Sequence, residues 1–243
     1  MGYTNLSVII KLENLKKSYN GKDIIKNVNL MIEKGEFICI LGSSGCGKTT
    51  LLNLIGGFIE KDEGSITINN KEISKPIKEC VMVFQEFDQL FPWKTLRENV
   101  EFPLKNSKVK ISKDDLIKLS SKYIHMVKLE GFEDYYPLKL SGGMKQRTAI
   151  ARALMTTPEV LLMDEPFGSL DFQTKSELHE TLIDIWKKTK TTIIFVTHDI
   201  REALTLADRV VIIKDASIHY IMDNQDKSSA EEKIKEITRN LSP

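Results

Sequence analysis

GSSGCGKT, residues 42–49, follows the apolar run FICIL at Phe37–Leu41 and leads into TLLNLI at Thr50–Ile55. The eight residues fit GxxxxGK[ST], and their flanks supply the context that pattern needs, a buried strand before and a helix after. Glycines let the backbone curl so that its N–H groups point inward, and a helix N-terminus adds partial positive charge. Gly42, Ser43, Ser44, Gly45, Cys46 and Gly47, with Thr50 at the helix start, are therefore expected to cradle phosphate oxygens. Lys48 should reach the β- and γ-phosphates of a nucleoside triphosphate, and Thr49 should offer its hydroxyl to Mg²⁺. This strand–loop–helix unit points to an α/β fold.

Outward from the loop, short apolar runs recur at Val81–Phe84, Val160–Met163, Ile193–Val196 and Val210–Ile213. Their length and unbroken hydrophobicity suit strands of a parallel sheet covered on both faces. Helical patterns lie between them: Leu178, Leu182, Ile185 and Trp186 share one face, and Leu116, Leu119, Tyr123, Met126 and Val127 another. Asp199 with Glu202, and Ser229 with Glu232, read as helix starts. Two regions break the alternation. Leu30–Ile32 and Ile66–Ile68, flanked by Gly35 and Gly64, suggest antiparallel strands, and about 88–155 reads as a helical insertion. The tail from 227 to 243 reads as an amphipathic helix, with Ile234, Ile237 and Leu241 expected to dock on the chain's own domain.

Val160–Met163 ends in Asp164-Glu165-Pro166. A carboxylate at the end of a buried strand beside a phosphate loop is placed to hold Mg²⁺, so Asp164 takes that role. Neighbouring side chains on a strand diverge, so Glu165 is free to orient and activate a water. A second glycine-rich entry to a helix, Leu140-Ser141-Gly142-Gly143-Met144, is another anion site by the same physics. One nucleotide rarely needs two, which suggests that the second serves the nucleotide of another molecule.

Here the resemblance becomes specific. LSGGMKQR resembles the signature of ATP-binding-cassette (ABC) ATPases, and the chain carries other motifs similar to that family's in the expected order. Tyr19 resembles the aromatic that stacks on adenine, and Gln85 the glutamine joining the sheet to the helical lobe, where it also meets the metal. Ser169-Leu170-Asp171 resembles the loop that crosses the dimer interface, and His198 the switch histidine. The likeness spans about Val8 to Met222 and implies a P-loop NTPase fold. That fold has a mainly parallel core sheet, an N-terminal antiparallel β subdomain and an inserted helical subdomain, with residues 8–226 as the ATPase domain. It also implies ATP and Mg²⁺ as ligands, and a head-to-tail dimer in which Ser141, Gly142, Gly143 and Asp171 of one copy complete the partner's site. Glu165, His198 and Gln85 would be catalytic, with Thr49, Gln85 and Asp164 at the metal.

LFPWKTLRENV, LSGGMKQRTAIARAL and MDEPFGSLD most resemble the nitrate/sulfonate/taurine importer branch. That implies membrane permease subunits as partners, a solute-binding protein outside the cell, and a place at the cytoplasmic face of the membrane. The cluster Phe87, Leu90, Phe91 and Trp93 either packs within the helical lobe or forms a groove for a partner's helix. Met144 and Ser43 stand where many family members have Gln and Pro. Cys46, beside Lys48 and a helix N-terminus, is expected to have a lowered pKa and a reactive thiol.

Composition narrows the alternatives. A net charge of +1 over 243 residues gives no argument for nucleic acid. No apolar stretch reaches the roughly 18–20 residues of a membrane span. MGYTNLSVIIKLENLKK lacks a basic leader and a cleavage site, so no signal peptide is expected. Three cysteines, an odd number, suit a reducing compartment. An exporter motor, a soluble ATPase of nucleic-acid maintenance and a kinase are the competing readings. A kinase would leave the signature run without a role.

Overall fold

The computed structural model describes residues 7–84, 89–168 and 170–241. β1 (Val8–Tyr19) and β2 (Lys22–Glu33) form a hairpin. Its turn, Asn20-Gly21, has both residues at positive φ (51° and 78°), as a tight two-residue hairpin turn requires. β4 (Glu63–Ile68) pairs with the other edge of β1, and β5 (Lys71–Glu72) pairs with β4. The result is an antiparallel sheet in the order β2-β1-β4-β5. The two segments read as antiparallel strands are thus in one sheet, each against β1 rather than against each other.

The larger sheet has the order β10-β9-β3-β8-β7-β6. β3 (Phe37–Leu41), β6 (Cys80–Val83), β7 (Val160–Asp164), β8 (Thr192–Thr197) and β9 (Arg209–Lys214) run parallel. β10 (Ser217–Asp223) returns antiparallel at one edge. Every residue of β3, β7 and β8 is buried, which explains their unbroken apolar runs. Side-chain alternation divides these strands between two cores. Ile38, Ile40, Leu162, Ile194 and Val196 face α1 (Lys48–Ile55) and the antiparallel sheet. Phe37, Leu41, Leu161, Met163 and Phe195 face the remaining helices.

Those helices are α2 (Leu96–Lys105), α3 (Lys113–Met126), α4 (Gly142–Leu154), α5 (Phe172–Thr189), α6 (Ile200–Leu206) and α7 (Ala230–Leu241). α2, α3 and α4 fall between β6 and β7 in the chain, so the insertion leaves the parallel pairing of those two strands intact. Thr95 opens α2 with a reciprocal box: its hydroxyl accepts from the Glu98 N–H while Glu98 accepts from the Thr95 N–H. Asp199 caps α6, as its sequence position suggests. α7 docks on its own domain through fully buried Ile237, with Ile234 and Leu241 packed beside it. Cys39, Cys46 and Cys80 are free thiols. Among the described residues no helix is long and apolar enough to cross a membrane.

Candidate functional site

Strand order builds the site. β3, β8 and β7 are adjacent and parallel, with Leu41 paired to Thr197 and Asp164 to Val196. Three loops therefore leave the sheet side by side at its carboxyl edge: Gly42–Thr49 after β3, Glu165 after β7 and His198 after β8. Ligand crevices of open α/β sheets lie at that edge.

The phosphate loop is held by backbone that excludes side chains. A Cβ on Gly42 would lie 2.6 Å from the Ile213 carbonyl, and one on Gly47 would lie 2.5 Å from the Ile24 carbonyl. Gly45 and Gly47 have φ of 78° and 105°. Lys48 is buried, and its ammonium donates to the carbonyls of Gly42 (2.9 Å) and Ser43 (3.0 Å). Tyr19, Ser44, Gly45, Gly47, Lys48, Thr49, Thr50 and Glu165 line an open cleft of about 490 Å³. Tyr19 is half exposed at its rim, with the Lys17 ammonium 5.4 Å from the ring centre.

The two carboxylates of the acidic pair take different partners. Asp164 accepts from the Thr49 hydroxyl at 3.1 Å. Burial pushes its carboxyl above the usual range, the nearby Glu165 adds to this, and Thr49 and Lys48 oppose it without prevailing. A desolvated carboxylate and a hydroxyl in contact, both hard oxygen donors, fit Mg²⁺. Glu165 sits at φ 40°, in the left-handed region, and turns away from Asp164. Its carboxylate lies 2.9 Å from the His198 ring and 3.7 Å from the Lys48 ammonium. His198 is largely exposed.

The second glycine-rich entry lies elsewhere. Ser141 caps α4, accepting from the Met144 N–H at 3.3 Å, and Ser141, Gly142 and Gly143 are not among the residues lining the cleft. They belong instead with the start of α5. A Cβ on Gly143 would lie 2.5 Å from the Thr174 methyl, and Thr174 in turn donates its N–H and hydroxyl to Asp171. Those bonds hold the Asp171 carboxyl below its ordinary range. Arg147 pairs with Glu177 at 2.9 Å, a second tie between α4 and α5.

One expectation is overturned. The Cys46 thiol has its pKa raised, not lowered: burial dominates, and the field of Lys48 and the backbone N–H donors do not offset it. The thiol is packed against the antiparallel-sheet core, which the local sequence does not reveal. Gln85, Phe87 and Ser169 lie outside the described residues. The aromatic cluster divides. Leu90 is core, Phe91 packs 4.3 Å from Phe102, and Trp93 is 70% exposed. Phe58 and Phe84, 6.2 Å apart and both exposed, lie outside the cluster read from sequence.

Sequence reasoning also missed Asn99 and read Glu202 only as part of a helix start; both are buried. Asn99 clamps the turn before α2, accepting from the Phe91 N–H and donating to the carbonyls of Phe91 and Lys94. A polar residue on the apolar face of α2 was the available signal. Glu202 reads as an ordinary first-turn acid, but its side chain bonds Thr197.

Residues 25–168 match the family model described as ABC transporter. The aliphatic sulfonates import ATP-binding protein SsuB of Bacillus cereus is 45% identical over 225 residues, covering 90% of this chain and 86% of that protein. The nitrate import ATP-binding protein NrtD of Synechocystis is 46% identical over 208 residues, covering 84% and 77%. Among solved structures, a dimeric bacterial ABC transporter cassette superposes with a TM-score of 0.78 at 35% identity, covering 88% of this chain and 98% of that one. The same cassette as a post-hydrolysis dimer bound to ADP and Pi gives 0.77 at 33%, with the same coverage. The cbiO1 protein of Clostridium perfringens, part of the cbiONQ complex, gives 0.83 at 30%, covering 96% of each chain.

Proposed function

Because the chain belongs to the ABC transporter family, we propose that it is the ATP-hydrolysing motor subunit of an importer, energising uptake of a small solute through a separate permease. It is a membrane-associated subunit, seated on the permease at the cytoplasmic face. The relatives named for sulfonate and nitrate import favour a small oxyanion or a taurine-like solute. The observation that carries the catalytic reading is the convergence of Lys48, Thr49, Asp164, Glu165 and His198 at the ends of three adjacent strands. Ser141 and Gly143 lie outside that cleft.

The loop N–H groups hold the phosphates, and the Lys48 ammonium exchanges its two carbonyl partners for β- and γ-phosphate oxygens. Thr49 and Asp164 would hold Mg²⁺, which neutralises charge on the phosphates when bound. Glu165 accepts a hydrogen bond from an attacking water and takes its proton as the water attacks. The water oxygen bonds to the γ-phosphorus as the bridging P–O bond breaks, giving ADP and phosphate. His198, in contact with Glu165, fixes that carboxylate, contacts the γ-phosphate and helps position the water. Ser141, Gly142 and Gly143 from a second copy close over the same phosphate, with Asp171 beside them. Residues 8–226 form the ATPase domain, with a helical insertion at about 88–155, and 227–243 are a C-terminal segment that carries α7.

Exposed Trp93, Phe84 and Phe58 give a surface for a permease helix. The test is co-expression with a candidate permease, followed by ATPase assays with a panel of sulfonates, nitrate and taurine presented on a candidate solute-binding protein. Solute-stimulated hydrolysis is expected. Hydrolysis indifferent to every permease and solute tried would remove the importer assignment while leaving the ATPase intact.

A further inference from the structure

Thr197 is the last residue of β8 and immediately precedes His198. Its hydroxyl accepts from the Asp199 N–H at 3.0 Å and donates to Glu202 at 2.6 Å. The backbone on both sides of His198 is thus tied to one hydroxyl, and that hydroxyl is tied to one carboxylate. Glu202 is 5% exposed, on α6, whose first turn Asp199 caps through the N–H groups of Arg201 and Glu202. A buried carboxylate is costly unless something compensates it.

The compensation comes from another helix. The second Glu202 oxygen faces Lys175 (3.4 Å) and His179 (3.7 Å), one turn apart on α5. Neither that oxygen nor the facing His179 nitrogen completes a hydrogen bond, so the join is an ion pair with slack in it. A cleft of about 470 Å³ lined by Phe172, Lys175, His179 and Glu202 opens between the two helices there. Burial by itself would raise the Glu202 carboxyl, but His179, Thr197 and Lys175 outweigh it and hold it low, so Glu202 is a carboxylate at neutral pH.

α5 also reaches the other half of the site. Asp171 caps it, Thr174 lies in its first turn, and Thr174 abuts Gly143. We propose that Glu202 is a positioning residue for His198, and that Lys175 and His179 make its hold depend on where α5 sits. A second copy pressing on the Asp171 end of α5 then shifts the His198 loop of the same chain, linking dimer closure to hydrolysis. The proposal rests on the role assigned to His198 above.

The experiment is a double-mutant cycle of steady-state ATPase activity on the full chain. Glu202→Gln keeps an acceptor for Thr197 and removes the charge that α5 holds. It is expected to lower kcat by about tenfold with KM for ATP within about twofold, because the phosphate loop is untouched. His179→Gln is expected to lower kcat by about threefold. In a His198→Ala background both changes should have no further effect, since they act through the same side chain. Thr197→Ser should retain kcat and Thr197→Val should lose it. Equal losses from Glu202→Gln with and without His198 would overturn the proposal, as would a fall in thermal stability with no change in kcat. Full activity of His198→Ala alone would instead overturn the role given to His198, and the proposal with it.

Discussion

Replacing Gly47 with alanine asks whether the phosphate loop is held in shape by backbone or merely tolerates glycine. Gly47 has φ 105° and ψ 4°, a conformation that costs an L residue about 1–2 kcal/mol. Its Cβ would also meet the Ile24 carbonyl at 2.5 Å and the Ile25 side chain at 3.1 Å. That carbonyl belongs to β2, which is paired along its length with β1 and has no easy way to retreat. Overpacking of this kind adds about 1–3 kcal/mol. Gly45 is the internal control: its φ is 78°, but a Cβ there meets nothing within 4 Å, so only the strain of about 1–2 kcal/mol applies. The difference between the two variants isolates the clash. If the loop gives way, binding must restore its shape, and each 1.4 kcal/mol weakens ATP tenfold. Gly47→Ala should therefore raise Kd for ATP by at least about 30-fold, and Gly45→Ala by about 5- to 30-fold. If the fold gives way instead, Tm falls by about 2–4 °C per kcal/mol for a chain this long. Equilibrium titration with a fluorescent ATP analogue, paired with thermal melts, reads both. Wild-type binding and melting in Gly47→Ala, or a greater loss in Gly45→Ala, would refute the reasoning.

Other outcomes follow from the same geometry. Glu165→Gln should bind ATP with near-normal affinity, hydrolyse it at least about a hundredfold more slowly, and elute as an ATP-dependent dimer; turnover near the wild-type rate rules out Glu165 as the group that activates water. Mixed dimers with Ser141→Arg in one copy should lose activity at the site formed with the other copy's phosphate loop, so full activity at both sites defeats the trans assignment. Cys46 has its pKa raised, so its thiolate fraction is smaller than that of a free thiol at all pH values up to its own ordinary range. Iodoacetamide at about pH 7.5 should alkylate it more slowly than glutathione, with the rate climbing as pH rises past the free-thiol range; faster alkylation than glutathione contradicts the burial argument. Asn99→Leu leaves the Phe91 N–H without its acceptor and should lower stability by about 1–3 kcal/mol in denaturant titration; an unchanged midpoint means that water replaces the clamp.

Much of the fold was written in short-range pattern. Five apolar runs became the five parallel strands because a strand buried on both faces must be apolar throughout. β1 and β10 carried no such run. β1 mixes buried, half-buried and exposed residues along its twelve positions, and β10 is an edge strand with only Met222 buried, so neither leaves a continuous apolar signature. The site was legible in parts. Its loops are marked by glycines and acids whose chemistry is local, whereas Glu202, His179 and Asn99 look like ordinary helix residues until their partners are known.

The sequence by itself determined the phosphate loop, the acidic pair and the five parallel strands, since each follows from neighbours a few residues apart. Only the tertiary structure decided what those parts do to one another. Thr49 and Asp164 meet because β3 and β7 flank β8, a strand order set by how segments more than a hundred residues apart bury their faces. The direction of the Cys46 shift was decided the same way. Lys48 and the helix start are local and lower the thiol's pKa, but the burial that raises it comes from a core shared with strands far along the chain, and desolvation outweighs the nearby charge.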